Sequence, residues 1–209
     1  MPLSLIVGPM FSGKTTELQR MIKRHTFLGQ SIVVVNHSSD TRYNEKGCVT
    51  SHDRISYKTT YSVSRLGALT TLINFNEVDV IAVDEGQFFE DLEQCVSAWL
   101  KENPSLRVYV ASLSSDIKME PFGQVHLLMC KCDFLVKLTG ICVGCGAEAS
   151  FTRWIGKSSS SSSPGVVNVG GSESYVAVCG KCFYNAEVSH LKKKSVERLN
   201  LLSILHAGK

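Results

Sequence analysis

Eight residues near the N-terminus have the spacing of a phosphate-binding loop. Gly8-Pro9-Met10-Phe11-Ser12-Gly13-Lys14-Thr15 fits the pattern Gly-x-x-x-x-Gly-Lys-Ser/Thr. In such a loop, glycines let backbone N–H groups turn toward phosphate oxygens. The lysine adds positive charge near the β- and γ-phosphates, and the threonine hydroxyl binds Mg²⁺. A turn without a chemical role is the alternative. The apolar run before the loop and the amphipathic stretch after it favour a nucleoside triphosphate site at a helix N-terminus.

An acidic pair follows another apolar run, residues 80–83. A phosphate-binding loop needs a carboxylate at the end of a neighbouring strand to hold the water shell of Mg²⁺. Asp84 suits that role, and Glu85, at the carboxyl edge of the strand, can reach the nucleophile. A solvated turn is the alternative for such a pair. The acceptor of the phosphoryl group stays open between water, a protein, a nucleotide and a nucleoside. The absence of Asn-Lys-x-Asp favours ATP over GTP.

Four of the eight cysteines form two Cys-x-x-Cys pairs, Cys142/Cys145 and Cys179/Cys182, with 33 residues between the pairs. Four thiolates can close a tetrahedral zinc site with no open coordination position, so the predicted zinc is structural. Reduced core thiols and a catalytic dithiol are the alternatives. The other cysteines are scattered and are predicted to be ordinary buried thiols. They are Cys48, Cys95, Cys130 and Cys132.

The elements that must position these groups alternate between strands and helices. Apolar runs at 3–7, 31–36, 78–83 and 106–111 predict strands. Helical patterns separate them, one ending near Gly29, one carrying Leu66, Leu69, Leu72 and Ile73, and one over residues 90–101. The polar residues 40–62 are turn-rich. This alternation predicts an α/β fold, a P-loop NTPase-type parallel sheet flanked by helices.

Composition divides the chain into three parts. Residues 1–139 are predicted to form the ATP-binding domain. Residues 140–184, rich in Cys, Gly and Ser, are predicted to form a small zinc-bearing lasso domain, with a mobile loop at the serine run 158–163. Residues 185–209 form a tail whose leucines could make a short helix packed on the core or on another subunit.

Overall composition excludes several classes of protein. The chain has 209 residues, 44% of them hydrophobic and 20% charged, as in soluble globular proteins. The formal charge of +3, part of it in the lysine run 192–194, is weak support for a nucleic-acid partner. No apolar run is long enough to span a membrane. Without an export signal and with cysteines spaced for metal, a cytoplasmic location is expected.

The motifs together resemble those of the type II thymidine kinases, the family of the vertebrate cytosolic and poxvirus enzymes. The resemblance covers about residues 3–184. Besides residues 8–18 and the two cysteine pairs, it rests on Asp-Thr-Arg-Tyr (40–43), Ser-His-Asp (51–53), Asp-Glu-Gly-Gln-Phe-Phe (84–89), Pro-Phe-Gly (121–123), Val-Lys-Leu-Thr (136–139) and Gly-Gly-x-x-x-Tyr (170–175).

The resemblance implies a thymidine kinase that uses ATP and Mg²⁺, carries structural Zn²⁺ and assembles as a homotetramer. It implies that Glu85 accepts the proton of the sugar 5′-hydroxyl, and that the cysteine-flanked loop folds over the nucleoside. Near the triphosphate it places residues 8–15 together with Asp40, Arg42, Asp84 and Gln87, of which Thr15 and Asp84 serve Mg²⁺. Around the nucleoside it places Met10, Phe88, Leu113, Ile117, Phe122, Thr152, Val166, Val167, Asn168, Val169, Gly170 and Tyr175.

The chain departs from the family pattern near the base. Where the family has Leu-Asp-Gly-x-Phe, this chain has Leu113-Ser114-Ser115-Asp116-Ile117. Ile117 is therefore predicted to lie where an aromatic ring lies in the family. The competing arrangement has Phe122 or Trp154 covering the base; Trp154 itself replaces a usual basic residue.

Two other functions stay open. A nucleic-acid-stimulated ATPase would use the acidic pair to polarise water and the zinc element as a nucleic-acid-binding ribbon. It is disfavoured because the chain leaves little room for motor elements, and the zinc region lacks interleaved arginines and aromatic residues. A non-enzymatic zinc module is disfavoured because the phosphate-handling residues are intact.

Overall fold

The computed structural model describes residues 2–39, 48–50, 56–58, 60–156 and 174–207. The strands are β1 (Leu3–Gly8), β2 (Ile32–His37), β3 (Cys48–Thr50), β4 (Ser56–Lys58), β5 (Tyr61–Val63), β6 (Val80–Val83), β7 (Arg107–Leu113), β8 (Phe134–Lys137), β9 (Gly140–Ile141), β10 (Glu148–Ala149), β11 (Phe151–Trp154) and β12 (Tyr175–Val178). The helices are α1 (Lys14–Phe27), α2 (Leu69–Leu72), α3 (Leu92–Glu102), α4 (Val125–Met129), α5 (Gly180–Asn185) and α6 (Val188–Ala207). Short 3₁₀ turns cover Leu66–Ala68, Phe75–Glu77 and Gly86–Phe88.

A six-stranded sheet in the order β5-β2-β6-β7-β1-β8 forms the centre of the molecule. Every strand pairs parallel to its neighbours. Each residue of β6 is buried, as expected for a central strand covered on both faces. The predicted α/β class with a parallel sheet is therefore confirmed.

Helices cover the two faces of the sheet with separate hydrophobic clusters. On one face, Leu18 and Ile22 of α1 pack against Ile6, Val34 and Ala111 of the strands. On the other face, the buried residues of α3, among them Val96 and Trp99, join a larger cluster with strand residues such as Val83. Because both faces are apolar, the strands read as continuous apolar runs rather than alternating ones.

Parallel pairing brings the carboxyl ends of the strands to one edge of the sheet. This carboxyl edge runs across the ends of all the strands and is distinct from the sides formed by the outer strands β5 and β8. The loop after β1, the acidic pair after β6 and the last residue of β7, Leu113, all lie at the carboxyl edge. Ligands of open α/β sheets bind at this edge.

The predicted helical stretch containing Leu66, Leu69, Leu72 and Ile73 is confirmed in part, because residues 66–72 are helical and Ile73 is not. The 3₁₀ turn Leu66–Ala68 leads directly into the four-residue α2, and Ile73 is already extended (φ −131°, ψ 151°). The Thr70 and Thr71 hydroxyls each donate to a carbonyl three residues back, at 2.7 and 3.0 Å. The Asp91 carboxylate accepts the N–H groups of Leu66 and Gly67, at 3.1 and 2.9 Å. The Asp91 carboxylate therefore satisfies N–H groups at the start of the stretch, which have no partner within a helix.

The strands outside the four apolar runs were not predicted. Within the predicted turn-rich residues 40–62, β3 pairs antiparallel with β4, and β5 joins β2 at the edge of the main sheet. Strand β8, at the opposite edge, leaves Phe134 and Leu135 about half exposed. Short outer strands show only a weak pattern of apolar residues in the sequence, because only part of their surface is buried.

Two small antiparallel pairs follow the main sheet, β9 with β10 and β11 with β12. Their side chains form a third hydrophobic cluster, which includes Cys142, Val176 and Val178, and Phe11 of the phosphate-binding loop packs against it. The described part of the tail is a 20-residue helix, α6, longer than the predicted one. Its Leu191 is fully buried in the third cluster. The division into domains near residue 139 stays a prediction.

The remaining cysteines are less buried than predicted, among those whose burial the structure describes. Cys130 is exposed, and Cys95 and Cys132 are partly exposed. Burial, with a smaller contribution from Asp91, raises the pKa of Cys95 to about 11. Among the described residues, no helix has both the length and the apolar character to cross a membrane.

Candidate active site and cysteine cluster

The phosphate-binding loop lies between β1 and α1 and is tightly built. The Ser12 hydroxyl and the Lys14 ammonium both donate to the Pro9 carbonyl, at 2.8 and 2.7 Å. A Cβ at Gly8 would lie 2.6 Å from the Leu138 carbonyl oxygen and 2.6 Å from Ser12 Oγ, so only glycine fits there. Lys14 is the first residue of α1, so the positive end of the helix dipole points at the loop.

Thr15 and Asp84, the two predicted magnesium groups, lie together. The Thr15 hydroxyl donates to Asp84 Oδ2 at 3.1 Å. The other carboxylate oxygen of Asp84 accepts the N–H of Glu85 at 3.0 Å. Asp84 is 5% exposed, so its charge sits in a poorly hydrated position beside the loop. Hydroxyl and carboxylate oxygens are the ligands that Mg²⁺ prefers, and their chemistry fits this ion.

Glu85 occupies an unusual backbone conformation next to Asp84. Its φ of 52° lies in the left-handed region, which few residues other than glycine adopt. Gln87 Nε2 donates to Glu85 Oε2. Gln87 Oε1 in turn accepts from the Ser112 hydroxyl at 2.9 Å and from the Leu113 N–H at 3.0 Å. Such strained positions persist where neighbouring groups hold them, and they cluster at functional sites.

The predicted nucleoside contacts that the structure describes fall into two groups, and the first contacts the loop through Thr152. Thr152, 3% exposed, accepts the Met10 N–H on its hydroxyl at 2.9 Å. Tyr175 and Trp154 pair edge to face across β11 and β12, with ring centroids 4.8 Å apart.

The second group follows β6. The rings of Phe88 and Phe122 are perpendicular, with centroids 5.9 Å apart, and His37 lies 5.7 Å from Phe88. Ile117 is 41% exposed. Asp40, Arg42 and Val166, Val167, Asn168, Val169 and Gly170 lie outside the described residues.

The two cysteine pairs converge on one point. The sulfur atoms of Cys142, Cys145, Cys179 and Cys182 all lie within 4.8 Å of one another. Cys145 Sγ and Cys179 Sγ are 3.6 Å apart. Sulfurs arranged tetrahedrally about 2.3 Å from a zinc ion are separated by roughly 3.7 Å, so this donor set fits zinc.

Backbone N–H groups in the turns around the cysteines affect the pKa of the Cys142 thiol. Burial raises the pKa of Cys142, but hydrogen bonds from the Cys179, Cys145 and Gly144 backbone and from the Cys145 thiol outweigh burial and lower it to about 6. Burial, and hydrogen bonds with the other three sulfurs, raise the pKa of Cys182 to about 12. A thiolate at Cys142 is the form that binds metals.

Sequence reasoning did not single out Ser112 as part of the site. Its hydroxyl is fully buried at the carboxyl end of β7, where it contacts Gln87. A serine directly after the apolar run 106–111, at the edge where ligands bind, was the available signal.

A family profile and individual relatives of known name all point to the same family. The profile of the thymidine kinase family matches residues 1–183. A thymidine kinase of fowlpox virus is 37% identical over 185 residues, which cover 88% of this chain and 97% of the relative. Thymidine kinase 1 of Dictyostelium discoideum is 35% identical over 188 residues, covering 88% of this chain and 78% of the relative. A thymidine kinase of Amsacta moorei entomopoxvirus is 36% identical over 189 residues, covering 89% and 100%. The phosphate-binding loop, the parallel sheet and these similarities agree, and the chain belongs to the thymidine kinase family.

Proposed function

We propose that this protein transfers the γ-phosphoryl group of ATP to the 5′-hydroxyl of thymidine, giving dTMP and ADP. The observation that carries the proposal is the meeting of Lys14, Thr15, Asp84 and Glu85 at one edge of the sheet, in a chain of the thymidine kinase family.

The phosphate side of the reaction needs positioning and charge neutralisation more than covalent chemistry. The phosphoryl group passes through a loose transition state with charge on its peripheral oxygens. The backbone N–H groups of the loop and Lys14 would hold those oxygens. Thr15 and Asp84 would hold Mg²⁺, which supplies further positive charge. Asp40 and Arg42 are proposed as additional groups near the triphosphate.

Glu85 is proposed as the general base. As the thymidine 5′-oxygen attacks the γ-phosphorus, the proton of that hydroxyl passes to the Glu85 carboxylate. The bond between the γ-phosphorus and the β,γ-bridging oxygen breaks, and ADP leaves. Positioned general bases contribute about 10²–10⁴-fold to such reactions. Because Glu85 directly follows Asp84 in the sequence, the base would lie beside the metal-bound phosphate.

The nucleoside is proposed to bind between the loop and the cysteine-bearing region. Met10, Thr152 and Tyr175 are proposed to contact it on one side, with Phe88, Leu113, Phe122 and Ile117 as the other predicted contacts. Residues 166–170, between the cysteine pairs in sequence, are proposed to cover the sugar and base and to exclude water that would compete for the phosphoryl group.

Cys142, Cys145, Cys179 and Cys182 are proposed to hold one structural zinc ion. The sulfur separations support this ion, as does a cluster made of cysteines alone among the residues that the structure describes. The proposed zinc joins the β9–β10 turn to the start of α5, and so fixes both ends of the intervening segment. A homotetramer and a cytoplasmic location, implied by the sequence resemblance, are also proposed.

One assay tests the function. ATP turnover is measured with thymidine, with single-stranded DNA and with neither, and dTMP is identified as the product. Thymidine-dependent turnover that yields dTMP is expected. Turnover stimulated by single-stranded DNA and indifferent to thymidine would instead identify a nucleic-acid-dependent ATPase.

A further inference from the structure

We infer that Gln87 is a positioning residue that holds the Glu85 carboxylate in its reactive orientation. The inference rests on the proposed thymidine kinase function and concerns the proposed proton transfer. It assigns the Gln87 side chain a task other than the nucleotide contact implied by the sequence resemblance.

The orientation of the Gln87 amide follows from its partners. The Leu113 backbone N–H, 3.0 Å away, can only donate, so the amide atom facing it must be the oxygen Oε1. The Ser112 hydroxyl donates to the same oxygen at 2.9 Å. The amide nitrogen must therefore face the other way, and there it donates to Glu85 Oε2. A flipped amide would place N–H against N–H and lose these bonds.

The backbone of Gln87 is held as firmly as its side chain. The residue is 3% exposed and lies in the 3₁₀ turn Gly86–Phe88. Gly123, with φ 63°, approaches so closely that a Cβ there would lie 2.3 Å from the Gln87 carbonyl oxygen. The amide is thus fixed between the end of β7 and the Pro-Phe-Gly segment. Glu85, whose own backbone is strained, borders a rigid donor.

A glutamine suits this task because its amide does not titrate. Its N–H donates to a carboxylate before proton transfer and to a carboxylic acid carbonyl afterwards. The contact therefore lasts through the reaction and limits rotation of the Glu85 side chain. Misplacing a catalytic group by about 1 Å can cost on the order of 10²-fold in rate. Loss of the contact should lower kcat and leave binding of both substrates nearly intact.

The test is a double-mutant cycle with Gln87→Met and Glu85→Gln. Methionine has nearly the length of glutamine but cannot donate a hydrogen bond. Thymidine kinase activity is measured for the wild type, both single variants and the double variant. We expect Gln87→Met to lower kcat about 10- to 100-fold, with the KM values for ATP and thymidine within about twofold. In the Glu85→Gln background, the same substitution should change kcat by less than about twofold, because coupled residues are not additive.

A matched control separates positioning from general damage to the fold. Asn103 also uses its side-chain oxygen to bind a backbone N–H, that of Ser105 at 3.0 Å, just before β7 begins and so at the other end of that strand from Ser112. Asn103→Leu should leave kcat unchanged. If Gln87→Met fails to fold, Ser112→Ala replaces it, since it removes one of the two donors that hold Oε1. A severalfold loss of kcat is then expected, again absent in the Glu85→Gln background.

Three results would overturn the inference alone: full kcat in folded Gln87→Met, an equal loss of kcat in both backgrounds, or a loss that appears mainly as a higher KM for ATP. The last would return Gln87 to nucleotide binding. Wild-type protein without thymidine-dependent activity would overturn the proposed function, and this inference with it.

Discussion

The backbone N–H of Met10 donates a hydrogen bond to the Thr152 hydroxyl, 2.9 Å away and 142 residues further along the chain. Met10 belongs to the phosphate-binding loop and Thr152 to β11, whose partner strand leads to the second cysteine pair. Phe11, the next residue, packs in the hydrophobic cluster around Cys142. The predicted phosphate-binding loop and the region that holds the cysteines are thereby one connected structure.

Removal of the Thr152 hydroxyl should damage both the fold and nucleotide binding. Thr152→Val keeps the branched shape but leaves the buried Met10 N–H without its acceptor, at a cost of about 1–3 kcal/mol in the free energy of unfolding. Urea denaturation measures that cost, and the KM for ATP should rise. Thr152→Ser, which keeps the hydroxyl, should restore most of both. A Thr152→Val protein as stable as the wild type would show that water replaces the hydroxyl without loss.

Loss of one cysteine ligand should remove the metal and destabilise the protein together. Elemental analysis of protein purified without chelator should find about one zinc per chain, as four thiolates require. Cys145→Ser should lose that zinc and unfold at a lower temperature, because metal binding free energy is also local folding free energy. Cys130→Ser, at an exposed cysteine outside the cluster, is the control and should keep the metal. Absence of zinc from the wild type would contradict the assignment.

The helix α6 should stabilise the cysteine cluster although it lies beyond the residues matched by the family profile. Leu191 is fully buried beside it, and a Cβ at Gly144 would lie 2.9 Å from Cys182 Sγ and 3.2 Å from Leu191. Leu191→Ala should cost about 2–5 kcal/mol in unfolding free energy. It should also speed zinc loss to a chelator. Val196→Ala, at a residue 57% exposed on the same helix, should do neither. Equal zinc release from the two variants would rule out this link.

The sequence was most informative where a residue's role depends on its immediate neighbours. The loop motif and the acidic pair after β6 were predictable because both follow apolar runs that are buried on both faces. The contact between Gln87 and Ser112 was not, because it depends on how β6 and β7 align, with Val83 opposite Val110. The Met10–Thr152 contact joins segments distant in sequence, and no local pattern reports such a distance.

Introduction of an aromatic ring at residue 117 should strengthen thymidine binding. Ile117 is 41% exposed, and the sequence resemblance predicts that it stands where the family pattern has a ring. If it borders the base, Ile117→Phe adds a ring pair worth about 0.5–1.5 kcal/mol, or roughly a threefold to tenfold lower thymidine KM. The kcat should hardly change, because uniform binding does not speed the chemical step. A higher KM would mean that another ring already covers the base, and Phe122→Ala would then be the next variant to measure.

The central claim is that Glu85 removes the proton from the thymidine 5′-hydroxyl. Glu85→Gln keeps the size of the side chain and removes its basicity. The most direct measurement is kcat for dTMP formation by this variant, together with the dissociation constant for ATP. We expect kcat to fall by about 10²–10⁴-fold while ATP affinity, which we attribute to residues 8–15, changes little. A Glu85→Gln protein that retains most of the wild-type kcat would contradict the mechanism.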